Sequence, residues 1–249
     1  MLLRNFWCTL LLLIAAAGVT QAAEFTINPL LVDLDRGNRA SEILVRNEGS
    51  TPLRMQVQAS SWRQDAKGQD QYEPADGLLY FPRTMEIPPG DSRIIRVGVK
   101  AAPVTQEDAY RVFVEELPPA AAASAPAGAS LLVLLRVGVP VFVAPAQPQR
   151  QAEITALDLH GTTAEWVVAN KGNVHVRADR FELTGLARDG TRLFEQPFQE
   201  RYVLAGAVKV LRFDIPQDKC AQLAVLEATV TGENLDLKRK LDVTPGSCP

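Results

Sequence analysis

From residue 25 to residue 145, apolar and polar side chains exchange places at nearly every second position. Successive side chains of an extended strand point to opposite faces, so this period describes half-buried strands. No run of apolar residues at i, i+3, i+4 and i+7 offers a convincing helix in their place. Ile43 and Val45 alternate with Leu44 and Arg46, and Leu53, Met55, Val57 and Ala59 alternate with Arg54, Gln56 and Gln58. Between these runs Asn47-Glu48-Gly49-Ser50 has the composition of a turn, which predicts a hairpin. Pro88-Pro89-Gly90-Asp91 marks another turn ahead of Ile95, Val97 and Val99, and Tyr110 to Val114 alternates again. Short strands separated by turn signals predict an all-β, antiparallel sandwich.

With 249 residues the chain has room for two such domains. The 47% hydrophobic and 22% charged residues exclude an intrinsically disordered or multi-span membrane chain. A net charge of -3 lacks the basic excess that binding to a phosphate backbone needs, so no nucleic acid is expected as a partner. The first 23 residues resemble a secretory signal peptide: Arg4, the apolar run Leu10 to Ala17, and a small-residue end at Thr20-Gln21-Ala22-Ala23. No segment has 18 uninterrupted apolar residues, so no membrane insertion of the mature chain is expected. Cys8 precedes the apolar run and leaves with it, and Cys220 and Cys248 remain. An even pair in an exported chain favours a disulfide over two unpaired buried thiols. Closing the 27 intervening residues would stabilise the fold by roughly 3 to 4 kcal/mol.

No constellation for catalysis stands out. Neither G-x-S-x-G, H-E-x-x-H, a P-loop nor G-x-G-x-x-G occurs. His160, beside Gly161, reads as a turn residue, and His175, between Val174 and Val176, as the solvent face of a strand. Asp33 and Asp35 alternate on one strand face and could suggest a paired-carboxylate centre, but beside Arg36-Gly37-Asn38 a solvated edge explains them as well. The expectation is no enzyme, no metal and no cofactor.

The feature left to explain is Leu131 to Val143, LLVLLRVGVPVFV, an apolar run broken only by Arg136, Gly138 and Pro140. As one strand it would span roughly 40 Å, too long for a small sandwich to cover fully. Leu131, Val133, Leu135, Val137 and Val139 would share one face, and Leu132, Leu134, Arg136 and Gly138 the other. Both faces are apolar at the start, so the strand is either covered twice or offered to a partner. Pro118 to Ala129 ahead of it contains only Ala, Pro, Ser and Gly and is expected to be a flexible loop. Beyond a linker around Pro145 to Pro148, strand candidates lie at 164–168, 181–186, 208–213, 223–230 and 235–243, forming a second all-β domain. Leu223 to Glu227 could instead begin a short helix on propensity.

In order and spacing, FTINPLLVDL at 25–34, LVRNEG at 44–49, IPPGDSRIIRVG at 87–98, YRVFVEELPP at 110–119 and LLVLLRVGVPVFVAP at 131–145 resemble the PapD-like periplasmic pilus-assembly chaperones. The resemblance spans essentially the whole mature chain. It implies two immunoglobulin-like β-sandwich domains in an L-shaped arrangement, at 24–145 and 146–249, after the signal at 1–23. It also implies a periplasmic chaperone that completes an unfinished pilus subunit by adding its own strand and delivers it to an outer-membrane usher. The donor-strand residues would be Leu131, Val133, Leu135, Val137 and Val139. A secreted two-domain Ig-like adhesin or pilin is the alternative.

The best-known branch of the family holds the subunit's C-terminal carboxylate with an Arg on the first strand and a Lys on the donor strand. Leu31 and Pro140 stand at those positions here. That departure, with YRVFV and GVPVFVAP, resembles the archaic or alternative branch and points to Arg111, with Arg136 second, as the carboxylate anchor. Arg96 aligns with a basic residue that is either structural or usher-facing. Ala144 replaces an Arg that helps lock the two domains, so the contact between them must be built otherwise.

Overall fold

The computed structural model describes residues 25–103, 105–118, 133–244 and 246–247. The expected signal peptide, Leu131, Cys248 and nearly all of the Ala/Pro loop lie outside them.

The first half of the chain forms two sheets. One has four strands in the order β1 (Phe25–Asn28), β3 (Ala40–Asn47), β8 (Ser92–Val99), β6 (Leu78–Phe81). The other has six, running β2 (Val32–Leu34), β10 (Arg136–Val143), β9 (Asp108–Glu116), β4 (Leu53–Gln64), β5 (Asp70–Pro74), with β7 (Thr84–Ile87) also on β4. Alternation supplies the inner faces: Ile43, Val45, Ile95 and Val97 from one sheet meet Met55, Val57, Val112, Val114, Val139, Val141 and Val143 from the other.

The hairpin expected across Asn47 to Ser50 is not one. β3 and β4 lie in different sheets, and the turn carries the chain from one layer to the other. Asn47, buried, makes this corner: its side-chain amide donates to the carbonyls of Thr51 and Ile87, and its Oδ1 accepts from the Gly49 N–H. These bonds tie the corner to the end of β7 and close the Asn47–Thr51 turn.

The second half contains a three-stranded sheet, β11 (Ala152–His160), β12 (Thr163–Asn170), β17 (Val208–Asp214), and a four-stranded one, β15 (Arg192–Phe198), β14 (Arg180–Leu186), β18 (Val225–Gly232), β19 (Leu235–Asp242). A small ribbon, β13 (Val176–Arg177) with β16 (Tyr202–Val203), sits beside them. Trp166, Phe181, Leu183, Leu226 and Val230 fill their core. The Leu223 region is strand rather than helix from Val225 onward. The short helix α1 (Gln217–Cys220) lies just upstream and buries Cys220. Every strand pairing stays within 25–143 or within 152–242.

The halves meet through the tip of the β4/β5 hairpin. Asp65 accepts from the backbone N–H groups of Lys67 and Gln69, which shapes the turn, and the same bonds hold its carboxyl below the usual range. Gly68, at φ +80°, then packs on β17, where Lys209 Nζ donates to its carbonyl at 2.6 Å.

Candidate functional site

β10 changes character along its length. Its C-terminal end, Val141–Val143, lies between β9 and β2, whereas among the described residues Arg136–Pro140 pairs with β9 alone. The Leu135 carbonyl accepts from Glu116 N–H, so odd-numbered residues direct their backbone groups at β9. Arg136, Gly138 and Pro140 therefore turn theirs toward the unpaired side. Pro140, without an N–H, occupies a position where β9 loses no hydrogen bond, the edge placement that proline tolerates.

The expected long strand begins at Arg136, five residues later than Leu131, and its proposed face divides. Val139 is 0% exposed in the sandwich's own core, so it offers nothing to a partner; this corrects its inclusion with the others. Val137 is partly buried against the same core. Val133 is 62% and Leu135 40% exposed, beyond the end of the sandwich that would cover them.

Cross-strand partners share a face, and the outward face of the six-stranded sheet carries Arg136, Gly138, Pro140 and Phe142 from β10, Phe113 and Arg111 from β9, Trp62 from β4 and Tyr72 from β5. Arg136 lies 4.0 Å over the Phe113 ring and pairs with Glu115 at 3.6 Å. Phe113 meets Tyr72 edge-on at 5.3 Å. The Arg111 guanidinium sits 4.0 Å over Trp62 and 5.8 Å from the Tyr72 ring. Burial pushes the Tyr72 hydroxyl up to about 12 despite the opposing pull of Arg111, while Asp70 adds to the rise, so this ring is neutral at ordinary pH.

The two arginines differ. Arg136 already has a carboxylate beside it. Arg111 has none within ion-pair distance among the described residues, and its Nε is buried without a hydrogen-bond partner there. A buried donor left open is costly unless something completes it. Arg96 forms an exposed pair with Glu42 at 3.1 Å, a contact of small energetic weight.

The junction between the halves is built from Trp62, Phe142 and Leu204, with Leu31 and Tyr202 packed against them. His175 is not on a solvent face as expected. Its side chain is 15% exposed, stacks on Phe142 at 3.6 Å and meets the Glu107 carboxylate at 2.9 Å, while its backbone N–H donates to the same group. These contacts supply the lock that Ala144 does not. His160 ends β11, exposed, and Asp35 accepts from the Gly37 and Asn38 N–H groups in an exposed turn. Among the described residues, no group of three or more His, Cys, Asp or Glu could hold a metal ion, and no helix is long and apolar enough to cross a membrane.

Residues 24–149 match the family described as "Pili and flagellar-assembly chaperone, PapD N-terminal domain". Among solved structures, the CsuC-CsuE chaperone-tip adhesion subunit pre-assembly complex from archaic chaperone-usher Csu pili of Acinetobacter baumannii aligns over 88% of this chain and 98% of the other. Identity there is 18% and the TM-score 0.56. The Salmonella enterica SafA pilin in complex with the SafB chaperone aligns over 90% and 99%, at 15% identity and a TM-score of 0.58. The class 5 fimbriae chaperone CfaA aligns over 89% and 100%, at 15% identity and 0.53. No curated protein matches the chain. The family match spans half the chain and shows that the protein belongs to the PapD-like pilus-assembly chaperones, which are not enzymes; the solved structures show the same fold.

Proposed function

We propose that this protein is a periplasmic chaperone of the archaic or alternative chaperone-usher branch, which completes a pilus subunit by strand addition and delivers it to an outer-membrane usher. The observation that carries the proposal is the open edge of β10 from Arg136 to Pro140, continued by exposed Val133 and Leu135. A subunit that lacks a strand has unpaired backbone along its groove and an apolar slot beside it, and this segment answers both. Leu131, Val133, Leu135 and Val137 are the plugs. An exposed plug would contribute roughly 1.5 to 3 kcal/mol on full burial, and Val137, already partly buried, less, before the cost of ordering the segment is subtracted. Arg111 takes the subunit's C-terminal carboxylate, because among the described residues its guanidinium has no carboxylate partner, whereas Arg136 is engaged by Glu115.

The same proposal takes residues 24–145 as the subunit-binding domain and 146–249 as the second, behind a signal peptide at 1–23 that directs export. We assign Cys220, buried at the end of α1, and Cys248 as a disulfide pair. Peptide mapping with and without reductant checks this: a linked Cys220/Cys248 peptide that disappears on reduction is expected, and two free thiols would refute it.

The test is size-exclusion chromatography of periplasm in which the protein is co-expressed with a candidate pilus subunit. The wild type is expected to elute as a one-to-one complex and Val133→Arg as a folded free chaperone. A complex retained by well-folded Val133→Arg would overturn strand donation and favour a two-domain adhesin or pilin.

A further inference from the structure

A glycine inside a strand carries a conformational cost and no side chain to pack, so its use asks what occupies the vacated space. At Gly138 the answer is Arg111. A Cβ built on Gly138 would lie 2.8 Å from Arg111 Cδ, 3.2 Å from its Cγ and 3.1 Å from Phe113 Cε1. The Arg111 stem therefore lies against bare backbone, a path that any side chain at 138 would obstruct. At its far end the guanidinium rests on the Trp62 indole at 4.0 Å. Trp62 is itself fixed, 3% exposed, by Phe142 at 5.8 Å and Tyr202 at 5.6 Å.

Stacking engages the face of a guanidinium and leaves its in-plane N–H groups available for hydrogen bonds. An arginine side chain free in solvent must surrender several rotors to grip a carboxylate in two places, and that loss subtracts from affinity. Here the stem is confined at one end by Gly138 and the charged end by Trp62, and no carboxylate among the described residues competes for the group.

We propose that Gly138 and Trp62 are positioning residues that hold the Arg111 guanidinium in place for two-point recognition of a carboxylate. The proposal rests on the reading of Arg111 as the subunit anchor and adds what makes that anchor selective. Gly138 has a role distinct from its neighbours on β10: Val137 and Val139 serve apolar packing, and Gly138 serves the charge.

The probe is a synthetic peptide of the C-terminal strand of the co-expressed subunit, prepared once as the free acid and once as the amide. The wild type is expected to prefer the acid by about ten- to a hundredfold, the range of charge-assisted hydrogen bonds. Gly138→Ala and Trp62→Leu are expected to erase most of that preference while leaving affinity for the amide unchanged. Trp62→Phe, which restores a ring beneath the cation, should recover it. Loss of affinity for acid and amide alike, or a preference intact in both Gly138→Ala and Trp62→Leu, would overturn the inference. Thermal melts identify a misfolded variant; where either Gly138→Ala or Trp62→Leu fails to fold, the other decides. Arg111→Ala separates the two layers: if it keeps the acid preference, the anchor reading itself fails.

Discussion

Two strand edges in this molecule are treated in opposite ways. β17 ends the three-stranded sheet of the second half, and the β4/β5 turn covers it: Lys67 offers its carbonyl to the Val210 N–H at 3.3 Å, and Lys209 reaches from beneath to the Gly68 carbonyl. β10 in the first half has a pairable edge too, yet β2 covers only Val141–Val143, and among the described residues nothing covers Arg136–Pro140. Proteins blunt unpaired edges because they invite association with other chains. A chain that spends a hairpin tip on one edge and leaves the apolar approach to the other exposed has placed its liability where a partner strand can use it. Pro140 limits the opening, since no N–H is available there to extend a ladder further.

The contrast is sharpest between β10 and the segment leading into it, where Val133 and Val139 belong to one alternating series and meet opposite surroundings. Val139→Arg would place an unpaired charge in a fully buried core site, and the expected loss is about 4 kcal/mol or more, enough to unfold many domains. Val133→Arg, at an exposed position, is expected to change stability by no more than about 0.5 kcal/mol while abolishing subunit capture. Denaturant melts of both variants check this. Equal tolerance, or equal damage, would mean that the strand does not pass from covered to open between these residues.

Alternation made the strands legible, because period two survives wherever one face is buried. It could not mark the point along β10 where the protein's own sandwich stops, since Val133, Val137 and Val139 obey the same rule on either side of it. Turn chemistry misled at Asn47 for a related reason: a tight hairpin and a crossing between sheets use similar residues. The difference lies in the bond to the Ile87 carbonyl, 40 positions away. His175 likewise alternates as an outward residue, and Glu107, 68 positions earlier, is what covers it. Arg111 was legible only through the family resemblance, and Trp62 and Tyr72 beneath it come from other strands and gave no local sign. Gly138 did give one. It interrupts an apolar run where packing alone would favour a larger side chain, and such an interruption marks close approach of something else.

The covered edge offers the remaining test of the comparison. Gly68 has φ +80°, a region costing an L-residue roughly 1 to 2 kcal/mol, and a Cβ there would stand 2.5 Å from the Val208 carbonyl oxygen and 2.8 Å from Lys209 Cα. These are backbone atoms of β17 and cannot swing aside as a flexible side chain would. Gly68→Ala is therefore expected to lower stability by about 1 to 2 kcal/mol and to lift the hairpin tip from the strand. Lifting removes the Lys67 carbonyl from Val210 N–H and uncovers Lys209, whose ammonium would keep Glu200 at 2.9 Å as a partner. Hydrogen exchange reads the event directly: the Val210 amide should exchange faster in the variant, while amides of β12 facing β17 stay protected. Unchanged protection at Val210 would show that the tip does not guard this edge, and the contrast with β10 would then rest on burial alone.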